Sequence, residues 1–293
     1  MRRSRYAGAV REKRPSQTAL FVALQRTLAH EGFTGVPRFS DPFVRPLLSP
    51  GWTLVHAVVS RRMRRFTPAR RERAIAQLDV IPLRVSAIDA QLDQAVAAGC
   101  RQVVILGAGL DTRTFRMPSL AGAAVFEIDH PATQAYKRRK TAAQPFIARS
   151  LAYVPVNFEL QSLLPELAAA GHRSDEPTVW VAEGLVMYLS EDGLRSTLRD
   201  IATSSAPGSV VLIHYTCPRQ GGREQPLRRL LLSLWREPQI GERDSETMHD
   251  EIRRAGLDVH LDSHPLDWAG QLGARPPSGE TASATHLLVA RRR

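Results

Sequence analysis

The sequence predicts an α/β protein: a doubly wound, seven-stranded, mostly parallel sheet carrying a helical cap on its N-terminal side. Three observations lead there. From residue 100 onward, short β-branched apolar runs alternate with helix-length segments. The first run, Val103–Leu106, ends at once in Gly107-Ala108-Gly109, a strand giving way to a glycine turn. Before residue 100 the apolar residues recur at helical spacing instead.

The elements follow in order. Residues 1–14 are mostly Arg, Lys and small residues and read as a disordered basic tail; 15–99 read as the helical cap. Within the cap, a first helix starts near Ser16 with Leu20, Phe21, Ala23, Leu24 and Leu28 on a broad apolar face that also carries Arg26. Asp41-Pro42 marks a turn. Residues 52–66 suit a helix ending in Arg61, Arg62, Arg64 and Arg65, a solvated end or a binding patch. Pro68 and Pro82 bracket a short helix over 69–81, and another covers 84–98 with Gly99 closing it.

Strands are expected at Val103–Leu106, Ala124–Asp129, Tyr153–Asn157, Val179–Ala182, Val210–His214, Leu257–Leu261 and Thr285–Ala290. Helices fit at Pro131–Thr141, Leu160–Ala170, Asp192–Ser204 and Ser245–Ala255, with Ser245 as N-cap and Gly256 just past the end. Residues 100–293 thus form one ligand-binding α/β domain, with an insertion at about 216–243 that could cover a site.

Composition narrows the class. With 43% hydrophobic and 24% charged residues the chain reads as an ordinary soluble globular protein. No apolar run reaches the roughly 20 residues that span a bilayer, and no secretory signal is legible, so cytoplasm is the expected location. Cys100 and Cys217 give neither metal-ligand spacing nor a disulfide framework, and both are expected to be reduced. The net charge of +11 is scattered along the chain; it comes without a recognisable nucleic-acid module, which argues against a nucleic-acid partner.

In such sheets the ligand lies outside the carboxyl ends of the strands. After Gly109 a dinucleotide site would want a third glycine, yet positions 111 and 112 are Asp and Thr. Asp111 would repel a pyrophosphate and suits a ligand bearing an amino group or a sulfonium. Asp129 ends the second strand twenty positions beyond Gly109, where a carboxylate accepts from ribose hydroxyls; the lesser alternative is a helix N-cap ahead of Pro131. Asn157 and Phe158 offer a hydrogen-bonding edge and an apolar wall to an adenine. Glu183 follows an apolar strand directly, so it is expected in the crevice beside a cation. Arg26 or Arg84 could grip a carboxylate in a bidentate pair; Tyr188, His214 and Tyr215 could line an acceptor site. Together these favour a nucleoside without phosphates over NAD.

At this point the chain resembles the S-adenosylmethionine-dependent methyltransferases related to the leucine carboxyl methyltransferases, in particular their actinobacterial branch. The matching pieces are Thr18-Ala19-Leu20 with Arg26, Ser40-Asp41-Pro42-Phe43, Arg84 with Asp89, Leu106 through Arg113, Phe126 through Pro131 with Gln134 and Lys137, Ala182 through Leu189, and Pro207-Gly208-Ser209. The resemblance implies a class I methyltransferase sheet with a helical cap and S-adenosyl-L-methionine as cofactor. It implies cofactor contacts from Arg84, Gly107, Ala108, Gly109, Asp111, Asp129, Asn157, Phe158 and Glu183. Asn157 departs from the pattern, which usually has Asp there. Beyond residue 216 the match thins.

The reaction expected is O-methylation of a carboxylate or hydroxyl on a small molecule, by positioning alone, with Arg26, Glu183 and Tyr188 as the catalytic candidates. No His–Asp base pair is legible, and a carboxylate acceptor needs none. The rivals are an NAD-type oxidoreductase, a non-catalytic binding protein on the same scaffold, and an RNA methyltransferase suggested by charge alone.

Overall fold

In the computed structural model, which describes residues 15–218, 241–277 and 284–293, seven strands form one sheet. They are β1 Gln102–Leu106, β2 Ala124–Asp129, β3 Ser150–Pro155, β4 Thr178–Ala182, β5 Val210–Thr216, β6 Asp258–Ser263 and β7 Thr285–Arg291, in the order β3-β2-β1-β4-β5-β7-β6. β1 lies parallel to both β2 and β4, β2 to β3, and β4 to β5. Only β7, slotted between β5 and β6, runs antiparallel. The strand order reverses between β1 and β4, which opens a crevice at their carboxyl ends.

β1 and β4 are buried along their whole length. Their continuous Val and Ile runs therefore need cover on both faces, and two apolar layers supply it. One packs Leu194, Leu198, Met248 and Ile252 from helices α8 (Glu191–Thr203) and α9 (Ser245–Arg254) with Trp180 of β4 on one face of the sheet. The other gathers Leu83, Ile88 and Leu92 of α4 (Val80–Ala97) with Trp268 of α10 (Pro265–Leu272). A third cluster builds the cap: Leu20, Leu24 and Leu28 of α1 (Gln17–His30) meet Met63 of α2 (Pro50–Arg64), Leu110, and Tyr136 of α6 (Pro131–Thr141). Ser16 caps α1, its hydroxyl accepting from the Ala19 N–H at 3.0 Å.

Four sequence expectations shift. α3 (Pro68–Leu78) stops at Asp79, and α4 starts at Val80 with Pro82 inside its first turn; there a missing N–H costs nothing, because that turn's donors have no intrahelical partner. The expected strand at Tyr153–Asn157 lies earlier, at Ser150–Pro155. The expected Leu160–Ala170 helix shortens to α7 (Leu164–Ala169), which places Pro165 in its first turn. Asp244, not Ser245, caps α9 by accepting from the Thr247 N–H. α5 (Arg113–Arg116) and α10 were not expected at all. The expected tail and most of the expected insertion, residues 219–240, lie outside the described residues.

Candidate active site

The glycine turn after β1 is closed on three sides. Gly107 and Gly109 have φ of 64° and 47°, a region in which a side chain costs about 1–2 kcal/mol. A Cβ on Gly107 would also stand 3.2 Å from Leu185 in the loop after β4, and one on Gly109 would stand 3.5 Å from Ala19 of α1. Gly107→Ala is therefore expected to destabilise the protein by at least about 1–2 kcal/mol, read as a lower midpoint in a urea melt with an unchanged slope. Ala108 turns its methyl into the core and donates its N–H to the Ile128 carbonyl at 2.9 Å.

Asp129 arrives under this turn because β2 is clamped. Glu127 and Lys137, each 1% exposed, pair at 2.5 Å, and Gln134 of α6 donates to the Glu127 carbonyl at 3.0 Å. The Asp129 carboxylate accepts from the N–H of Gly109 and from that of His130. Burial pushes its pKa up to about 6 in spite of those two donors. The helix N-cap is His130, whose Nδ1 accepts from the Ala132 N–H, so Asp129 is not spent on capping α6.

Glu183, one residue past β4, sits between two guanidinium groups. Arg84 of α4 donates from Nε at 2.8 Å, and Arg113 of α5 donates to the other carboxylate oxygen at 2.8 Å. Burial alone would raise its pKa, but Arg113 and Arg84 reverse this and hold it well below the usual carboxylate range. Arg113, 1% exposed, also binds Asp89 of α4 at 2.6 Å and Asp111. Arg116 continues the chain to Asp89 at 2.6 Å and to Asp41 at 3.8 Å. Arg26 completes it on Asp41. Four cations and four carboxylates thus alternate from the cap to the sheet ends. The pairs from Arg84 to Glu183 and from Arg113 and Arg116 to Asp89 cross between cap and sheet.

Two expectations change in this network. Arg26 meets a carboxylate of its own chain. Its guanidinium donates to Asp41, to the Leu110 carbonyl at 3.0 Å and to the Thr112 hydroxyl at 2.5 Å, which straps α1 to the glycine turn. Asp111 likewise turns inward: one oxygen accepts from the Arg113 N–H at 2.7 Å and the other from its side chain. Arg113, quoted above only as part of a matching piece, is the hub. Its signal was a basic residue inside the first turn after a buried glycine loop; its partners Asp89 and Glu183 are too distant in sequence for any local pattern to announce.

Around this core, His214 of β5 accepts the Gly184 N–H at Nδ1 and faces the Thr285 hydroxyl at Nε2, 2.9 Å away. Burial, with Arg84 nearby, pushes its pKa well down; it is neutral, with its proton on Nε2. It shapes the loop that holds Glu183. Tyr188 ends a 3-10 turn, half-buried, its N–H bonded to the Leu185 carbonyl at 2.9 Å. Asn157 follows β3 beside Asp129, whose carbonyl takes the Val156 N–H; the Asn157 side-chain oxygen accepts from the Glu159 N–H at 3.1 Å. Phe158 packs on the sheet layer next to it. Tyr215 points elsewhere, its hydroxyl 2.5 Å from Asp262. The structure thus gathers Arg84, Gly107, Gly109, Asp111, Asp129 and Glu183 at one end of the sheet.

The leucine carboxyl methyltransferase family model matches residues 19–202, well over half of the chain. The chain belongs to that family. A "putative S-adenosyl-L-methionine-dependent methyltransferase" of Frankia alni is 36% identical over 65% of this chain and 66% of its own length. One of Mycobacteroides abscessus is 31% identical over 80% of this chain and 78% of its own. The chain spans between half and two thirds of the length of the first relatives it matches. A solved "putative methyltransferase" from Thermobifida fusca covers 98% of both chains with a TM-score of 0.56 at 16% identity, which shows the same α/β fold. No helix among the described residues is long and apolar enough to cross a membrane.

Proposed function

We propose that the protein transfers a methyl group from S-adenosyl-L-methionine to an oxygen of a small molecule. Family membership supplies the cofactor class, and the donor set suits it. Asp129, lying under a turn with glycine at 107 and 109, offers an anionic acceptor to ribose hydroxyls. The absent third glycine and the nearby acids disfavour a pyrophosphate. The observation that carries the reading is the Arg84–Glu183 pair at the neighbouring strand end, held nearly buried at 9% and 12% exposure. An adjacent cation and anion complement an amino acid's carboxylate and ammonium, which is the other end of this cofactor.

The cofactor supplies a sulfonium-bound methyl that needs no further activation. The chain's own residues then position the reactants. Arg84 and Glu183 fix the amino-acid end, Asp129 the sugar, and Asn157 with Phe158 the base. Arg26 acts at one remove, by holding α1 and its Ala19 against the glycine turn. Tyr188, on the turn that follows Glu183, borders the acceptor's side. His214, neutral and engaged at both ring nitrogens, is not a base for the acceptor; a carboxylate acceptor arrives already ionised and asks for none.

Calorimetric titration with S-adenosyl-L-methionine and with NAD decides the ligand: binding of NAD alone would overturn the reading. Methyl-labelled cofactor incubated with a fractionated metabolite extract then decides turnover. Label that mild base releases as methanol identifies a methyl ester and hence a carboxyl acceptor. Base-stable label identifies an ether. Cofactor binding without any transfer of label would leave a binding protein on the same scaffold.

A further inference from the structure

The cap carries a surface that the active site does not use. α2 buries only one of its faces, through His56, Ser60 and Met63, at i, i+4 and i+7. Its opposite stripe begins with Leu54 and Val58, 67% and 58% exposed, with Val55 beside them. The same stripe continues at helical spacing into Arg61, Arg62 and Arg65, all exposed. α3 behind it buries none of its residues. Between residues 50 and 78 there are seven arginines and a single acid, Glu72, and that acid is already paired with Arg275.

We propose that the α2–α3 hairpin docks on an anionic lipid bilayer, with α2 lying in the plane of the interface. Charge complementarity selects an anionic partner, since nothing on this stripe neutralises its arginines. The exposed aliphatics select a lipid surface over a nucleic acid: a phosphate lattice gives Leu54 and Val58 nothing to bury against, whereas the headgroup boundary accepts both halves of such a helix. At 15 residues the helix is roughly 22 Å long, enough to lie along a bilayer and too short and too charged to enter it. A second copy of the chain is a poor occupant, because it would set one arginine cluster against another.

The test is flotation of the full-length protein with phosphatidylcholine vesicles, with and without phosphatidylglycerol. Binding is expected only to the anionic vesicles, weakening as salt rises. Charge reversal in Arg61→Glu/Arg62→Glu/Arg65→Glu should lower the partition coefficient about a hundredfold or more. Leu54→Ser/Val58→Ser should lower it about tenfold. Both variants should keep the wild-type melting temperature and S-adenosyl-L-methionine affinity, because none of these side chains contacts the site. Failure of the wild type to float overturns the proposal, and so does undiminished flotation of either variant. Equal binding to neutral vesicles, or binding to RNA with no flotation, overturns it as well.

Discussion

Arg113→Met is expected to cost about 3–5 kcal/mol of stability, the range for removing one partner from a buried ion pair, with a fall of roughly 10 °C or more in Tm. The cause is the carboxylates left behind. Asp89, Asp111 and Glu183 all lean on this one guanidinium, and for Asp111 the remaining cations, Lys137 and Arg26, act with less effect than Arg113. Arg113→Lys should recover only part of the loss, because an ammonium cannot present a rigid fork to three partners. The acid limb of the pH–stability curve carries the same signature. Burial works against the charged forms of Glu183 and Asp111, but the guanidinium groups around them, Arg113 foremost, bring both pKa values below their ordinary ones. Their contribution is therefore present above the ordinary carboxylate range and lost as the pH falls through it. In Arg113→Met that limb should flatten. A urea melt of the variant within about 1 kcal/mol of wild type would show that the network carries little of the fold's stability.

The second large effect lies at Asp129. Asp129→Asn should weaken S-adenosyl-L-methionine binding by about ten- to a hundredfold, as expected for losing hydrogen bonds to a charged acceptor. The variant should fold as well as wild type or better near neutral pH. The sign follows from the raised pKa of about 6. A carboxyl held above its ordinary value favours the native state while protonated, and this contribution is lost as the pH rises from the ordinary range through about 6. Ribose hydroxyls that donate to the ionised form reverse the preference. Cofactor affinity should therefore rise with pH through about 6, with a proton released on binding, and calorimetry in buffers of different ionisation enthalpy reads that proton directly. In Asp129→Asn the pH dependence should vanish. Unchanged affinity in a folded Asp129→Asn protein would remove the ribose from this position.

The sheet was legible where burial is continuous. β2 and α6 have the bounds read from the sequence, because an apolar run, interrupted only by Glu127, ends in Asp129 and a proline opens the helix after it. β3 was misplaced because it is an edge strand, half-exposed through most of its length, so its apolar residues do not mark its ends. α10 escaped notice as an eight-residue helix whose hold on the core is chiefly Trp268. Within the site, the carboxylates at strand ends could be found from topology alone, since Asp129 and Glu183 each follow directly on a buried run. Their partners could not. Arg26 and Asp111 looked open to a ligand because the sequence shows a charge without showing what neutralises it, and here Asp41 and Arg113 do so.

The alternating network has a consequence for the order in which the chain can settle as it is made. Arg84 leaves the ribosome 99 residues ahead of its partner Glu183, whereas Asp89 waits only for Arg113 and Arg116. Until β4 has been synthesised, Arg84 lacks Glu183 and the inner face of α4 has only part of the sheet to cover. The N-terminal third therefore gains its full set of contacts only once β4 has been made.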